Sequence, residues 1–197
     1  MKRLSSLASV VLSLLLAAPF ARAAEDASQA DLATKELTII LKMLTYDRQL
    51  EFKAKGALTI GIVYNPADPA SLKDQTQVAD VLAKWAAENK KVNKLPLGTY
   101  LVEYATQDQL DKVLKSKVIS VFYVCAGVKN LEYLVKVADA HQITTVTTTP
   151  AYVSKGVAVG VTALGERPDM LVNLRSAKAE GIEFEASLLH IVKIVGE

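Results

Sequence analysis

Four short apolar runs rich in β-formers punctuate the chain at regular intervals: "ALTIGIVY" (57–64), "LPLGTYLVEY" (95–104), "VISVFYVCAG" (118–127) and "QITTVTTT" (142–149). Between them lie segments with helical spacing. Val78, Val81, Leu82, Trp85 and Ala86 line one face of a helix opening near Ser71; "TQDQLDKVLKS" is a shorter helix with Thr106 as N-cap; Val128, Leu131, Leu134, Val135 and Ala138 line a third. Strands alternating with helices of this length form βαβ units, and right-handed crossovers then place helices on both faces of a mostly parallel sheet. The third run is apolar throughout, as a strand buried on both faces requires. "ENKKVNK", Glu88 to Lys94, reads as a solvated loop.

Both ends of the chain depart from this rhythm. "MKRLSSLASVVLSLLLAAPFARAAED" has a basic start, a short apolar core from Leu7 to Phe20 and an Ala21-Arg22-Ala23 exit. These are the parts of a secretory signal peptide, and the apolar core is shorter than a bilayer span of about 20 residues. Residues 1–23 are therefore expected to be removed on export, leaving 24–197 as one domain. Cleavage removes Lys2, Arg3 and Arg22 and no acid, turning the net charge from +2 to −1. The basic balance of the precursor is thus no argument for nucleic acid. A first mature helix carries Ala33, Leu37, Ile40, Leu41 and Leu44 on its stripe, with Glu36, Lys42 and Asp47 read as lying off it. At the other end "KGVAVGVTAL" and "MLVNL", joined by Gly165 to Asp169, form a β-hairpin. A stripe through Leu174, Ala177, Gly181, Phe184, Leu188, Ile191 and Val195 predicts closing helix packing back over the sheet, broken at Gly181. Arg175, Lys178, Glu180 and Glu183 fall outside that stripe and are expected in solvent.

Candidate chemistry is sparse. Asn65, Asp68 and Ser71 follow the first strand and open a helix, where open α/β sheets hold ligands; the same residue types also make turns and helix caps. Thr147 and Thr148 end the fourth strand and can share that rim, although Thr is also simply a good strand residue. The chain has no G-x-G-x-x-G, no phosphate-binding G-x-x-x-x-G-K-[ST], no G-x-S-x-G and no H-E-x-x-H. His141 and His190 lack metal spacing, and Cys125 stands alone in an apolar run. No catalytic group, cofactor, metal site or disulfide is expected.

The tail "VAVGVTALGERPDMLVNLRSAKAEGIEFEASLLHIVKIV" resembles the YfiR-like family of exported bacterial proteins. Asn173, Ala177, Lys178, Gly181, Phe184, Leu188 and Leu189 match its C-terminal signature, and the earlier strands resemble the family's as well. Of these, Asn173, Ala177, Gly181, Phe184 and Leu188 are expected to be structural. The resemblance implies a non-enzymatic periplasmic protein that regulates by contact with an inner-membrane sensor such as a diguanylate cyclase, and so controls cyclic-di-GMP; some members are dimers. The regulator type carries cysteine pairs that have no counterpart beside Cys125. The expected architecture is one three-layer α/β/α domain, like flavodoxin or half of a periplasmic binding protein, closed by the C-terminal hairpin and helix. The alternative from another class is a single-lobe binder of a small ligand, similar to half of a transport-associated solute-binding protein; no nucleic-acid partner is expected.

Overall fold

The computed structural model describes residues 28–165 and 167–196. The expected signal peptide, 1–23, lies outside the described residues. Helix α1 spans 28–44. The order continues α2 (Leu50–Ala54), β1 (Leu58–Tyr64), α3 (Pro69–Ala87), β2 (Lys91–Val92), β3 (Leu95–Glu103), α4 (Gln107–Ser116), β4 (Val121–Val124), α5 (Leu131–His141), β5 (Thr144–Thr147), α6 (Pro150–Val153), β6 (Val159–Thr162), β7 (Asp169–Asn173), α7 (Leu174–Ala179), α8 (Ala186–Leu189) and β8 (Lys193–Val195).

One eight-stranded sheet runs β2-β3-β1-β4-β5-β6-β7-β8. β3, β1, β4, β5 and β6 are mutually parallel; β2 pairs antiparallel with β3 and β7 antiparallel with β6, and β8 runs parallel to β7. Without the short β2, the parallel strands follow the order 2-1-3-4-5 of flavodoxin-like sheets, as expected. β4 and β5 are buried at every position, so these central strands need apolar or internally bonded side chains on both faces. α3 covers β1 and β3, with α1 beside it: Leu41 and Trp85 share one groove. By the right-handed rule α4 and α5 cover the opposite face, where α7 packs beside α5.

Three readings of the sequence need correction. Part of the Glu88–Lys94 loop is strand. Lys91 and Val92 pair with Pro96 and Leu95 across a two-residue turn of Asn93 (φ 47°) and Lys94 (φ 69°). Two positive φ angles twist a hairpin correctly, and Asn tolerates that region, but Asn-Lys lacks the Gly that usually marks such a turn. The C-terminal segment breaks at Gly181 as expected, but no closing helix follows the break. α7 stops at Ala179; Gly181 takes φ 69°, its N–H bonds Lys178 O (3.2 Å) and the Ile182 N–H bonds Ala177 O (2.8 Å). That is the double bond pattern of a glycine-terminated helix, with Ile182 turned into the core. After one turn of α8 the chain becomes β8, which adds an edge strand instead of covering the sheet. Leu174 and Ile191, two stripe residues, are exposed.

The third correction concerns charge. Glu36, Asp47 and Glu180 are buried, not solvated. Glu36 accepts the Ala163 N–H (2.9 Å), tying α1 to the end of β6. Asp47 accepts the N–H groups of Gln49 (2.9 Å) and Glu183 (3.0 Å) through Oδ1 and pairs with Lys53 (2.8 Å) through Oδ2. Glu180 accepts both the N–H and the hydroxyl of Thr145, whose Oγ1 in turn accepts the Ala158 N–H.

Candidate functional site

The strand order reverses between β1 and β4, and the loops leaving their carboxyl ends part there. Such a switch point is where open α/β sheets form a crevice. A cleft of about 410 Å³ lies at this place, bounded by Asn65 and Ala67 after β1, Tyr104 to Gln107 after β3, and Lys129 and Asn130 after β4.

The β1–α3 turn is built by its own side chains. Asn65 is buried; its Oδ1 accepts the Ala67 N–H (3.1 Å) and its backbone N–H donates to Ser71 Oγ (2.9 Å). Asp68 caps α3, accepting the N–H groups of Ala70 (2.9 Å) and Ser71 (3.1 Å), with Pro69 at the first helical position. Asn65, Asp68 and Ser71 are thus brought together, and the polar atoms named here bond within the turn. Thr147 and Thr148 sit two strands away, at the end of β5. Thr147 Oγ1 donates to Val124 O (2.9 Å) and accepts the Thr149 N–H (3.1 Å). Thr148 Oγ1 lies 2.8 Å from the Tyr123 hydroxyl, which donates to Asp74 Oδ1 (3.1 Å); Asp74 Oδ2 accepts the Ala126 N–H (2.8 Å).

The β4–α5 loop is pinned by three side chains that sequence reasoning missed or assigned elsewhere. Asn65 Nδ2 donates to Gly127 O (3.2 Å), the Tyr152 hydroxyl to Val128 O (3.2 Å) and the Tyr104 hydroxyl to Asn130 O (3.1 Å). Burial raises the Asp74 carboxyl, against the lowering effect of its two donors, and pushes the Tyr104 phenol up to about 12, helped by Tyr133. Burial likewise raises Tyr123, and Cys125 is raised by burial and by the Asp74 charge. These phenols and the thiol therefore keep their protons near neutrality and act as hydrogen-bond donors or apolar filling. At the mouth, Gln109 reaches back to the N–H groups of Ala105 (2.9 Å) and Thr106 (2.8 Å), fixing the start of α4. Lys129 brings positive charge, and α5 begins at Asn130 (φ 53°) with no side-chain cap. The cleft has firm walls and suits a polar or anionic group better than an apolar one. Among the described residues no cluster of three His, Cys, Asp or Glu side chains forms a metal site.

Gly127 is the tightest point of this loop. It has φ 73°, and a Cβ there would lie 2.5 Å from the Asp68 carboxyl carbon. Gly127→Ala is expected to cost about 2–3 kcal/mol, combining left-handed strain with a displaced helix cap. Gly56→Ala is the control: φ is also positive, but no atom lies within 4 Å of the added Cβ. Urea titrations should show the larger loss at Gly127, and equal losses would remove the role given to Asp68.

A family model described as YfiR/HmsC-like matches residues 51–193. No curated protein matches the chain. Solved structures with a similar fold include a ligand-free, open substrate-binding protein with adhesive properties from Clostridium difficile, 19% identical with a TM-score of 0.55, covering 75% of this chain and 57% of that one. An ABC domain in complex with L-Trp from Streptococcus pneumonia is 14% identical, with a TM-score of 0.56 and coverage of 83% and 62%. A conserved domain protein from Vibrio cholerae O1 biovar eltor is 15% identical, with a TM-score of 0.51 and coverage of 74% and 57%. The chain spans about three-fifths of the length of these structures. At such identities the likeness is one of fold alone.

Proposed function

Because the chain belongs to the YfiR/HmsC-like family, whose model covers residues 51–193, we propose that it is a periplasmic regulator acting by protein contact. Its partner is an inner-membrane sensor such as a diguanylate cyclase, and it acts by occupying or releasing that sensor's periplasmic part. The family match carries this reading. The switch-point cleft, walled by loops that side-chain hydrogen bonds tie to one another, agrees with it. Export by cleavage after Ala23 is part of the proposal. On this reading the cleft beside Asn65 is the rim at which a contact or a small effector is sensed, while Asp68, Ser71, Thr147 and Thr148 hold the surrounding loops in place.

A second reading, a single-lobe binder of a small ligand, draws support from the substrate-binding proteins among the similar folds and from the switch-point cleft. A genetic experiment separates the two. Deleting the gene should raise the cellular cyclic-di-GMP pool, and the full chain should restore it, whereas a chain lacking residues 1–23 should not. An unchanged pool after deletion would count against the regulatory reading.

A further inference from the structure

At the opposite end of the sheet, a second groove of about 380 Å³ lies between α2, the link from α4 to β4, and the end of α5. Its floor is apolar: Ile119 and Ile143 are buried, and Leu114 is half-buried. Two large apolar side chains stand open on its edge, Phe52 at 78% exposure and Val118 at 58%. Phe52 has no place in the core because α2 turns Leu50 and Ala54 inward, and residue 52 falls on the other side. The polar rim is of one sign. Lys55, Lys117 and His141 line the groove, and none of its described lining residues is acidic. Lys117 is held over the Tyr100 ring at 5.1 Å, and Lys55 is fixed at the left-handed end of α2. Lys53 lies beneath, already neutralised by Asp47.

We propose that this groove docks an acidic segment of the partner protein that carries an apolar anchor residue. The anchor covers Phe52 and Val118, and flanking carboxylates meet Lys55 and Lys117. Exposed aromatic surface beside a rim of single charge is the pattern of a contact site, since the aromatic supplies affinity and the charges supply selectivity. Charge also decides against two other occupants. A second copy whose two-fold axis passes through the groove would set Lys55 and Lys117 against their own copies. A membrane surface would meet a concave groove on a mature chain of net −1, not a broad basic face. The inference rests on the proposed regulatory reading, and its test keeps the two apart.

The probe is a fluorescein-labelled peptide of alternating Asp/Glu and Leu/Phe, with a Lys/Arg counterpart, titrated by anisotropy against the mature protein at low and high salt. The acidic peptide should bind, more weakly in salt, and the basic one should not. F52S and K55E/K117E should each weaken binding about tenfold or more, with circular dichroism unchanged because all three side chains are on the surface. Equal binding by the variants would overturn the proposal. So would binding only to phosphatidylglycerol vesicles, or a dimer in sedimentation that F52S dissolves. A solubilised sensor that binds wild type and variants alike would overturn the docking site and leave the regulatory reading standing. Absence of sensor binding with peptide binding intact would remove the regulatory reading and keep the groove's chemistry.

Discussion

Asp47→Ala is expected to lower the free energy of unfolding by about 3–5 kcal/mol, because it leaves the Lys53 ammonium buried without its counter-charge. The Lys53 side chain is 6% exposed and that of Asp47 is fully buried, so water cannot replace the lost partner. Two backbone donors, the N–H groups of Gln49 and Glu183, lose their acceptor at the same time. The damage should be non-local. Asp47 lies in the turn after α1, which also bonds the 183–185 segment through Arg48 N to Glu183 O (3.0 Å) and Glu185 N to Tyr46 O (3.0 Å). Lys53 continues the chain of contacts to Thr144 Oγ1 at the start of β5 (2.8 Å). Hydrogen exchange should therefore rise together in residues 45–50 and 182–186. Asp47→Asn keeps one acceptor oxygen and should lose less in urea titrations. If the two variants lose the same stability, the ion pair is not what holds this corner.

The second large effect is a change in the pH dependence of stability at Glu180. Burial raises its carboxyl well above the ordinary value of 4.5; the two bonds from Thr145 and the Lys53 charge oppose this, and Asp139 adds to it. A native value above the unfolded one means that the folded chain holds the proton more tightly. The stabilisation is complete below the unfolded value and is lost as pH rises through the native value. Glu36, Asp74 and Asp139 are raised too, with burial the first cause of each, so the wild-type curve sums several groups. The difference between wild type and Glu180→Gln isolates one of them. Within the window that difference should change by up to about 1.4 kcal/mol per pH unit, wild type gaining toward acid. The amide also sets a donor against one of the Thr145 donors, a pH-independent offset of about 1 kcal/mol. Parallel curves for the two proteins would show that Glu180 does not titrate between the folded and unfolded states.

Glu180, Glu36 and Asp74 also mark where the sequence was hard to read. The alternation of apolar runs and helical stripes made the parallel sheet legible, because each element had to bury a face and only βαβ crossovers join such elements. The chain after Asn173 was less so. The break at Gly181 was legible, but the alternating three- and four-residue spacing continues to Val195 as if helical, and the "KIV" stretch pairs with β7 instead. Periodicity alone cannot separate a short edge strand from a last helical turn. Glu36 and Glu180 read as lying off their stripes, where charge suggests solvent, and nothing in the pattern singles out Asp74. Ser71 and Asp74 precede Val78 by seven and four residues, on the stripe that continues through Leu82 and Trp85. Glu36 precedes Ile40 by four, and Glu180 follows Ala177 by three. A carboxylate at such a position is carried into the core with the stripe, and a backbone N–H from another element must meet it.

The rule that loops at strand carboxyl ends form crevices points to the turn after β1, and a cleft bounded by Asn65 and Ala67 lies there. Its walls were not legible. Tyr104 and Asn130 come from two separate loops and Tyr152 from α6, and only the strand order brings them to one place. Phe52 has the same history: on five residues of helix, an apolar side chain cannot be assigned to core or surface without the neighbours that bury Leu50 and Ala54.

The most direct measurement is of complex formation between the purified mature protein, residues 24–197, and inner-membrane diguanylate cyclases solubilised with their periplasmic parts intact. Mass photometry and size exclusion should show a stoichiometric complex with one of them, and its cyclase turnover should fall when the complex forms. The contrary result is a mature protein that joins no such sensor yet releases a stoichiometric small molecule on denaturation. That would place the chain with ligand carriers and not with regulators of a membrane partner.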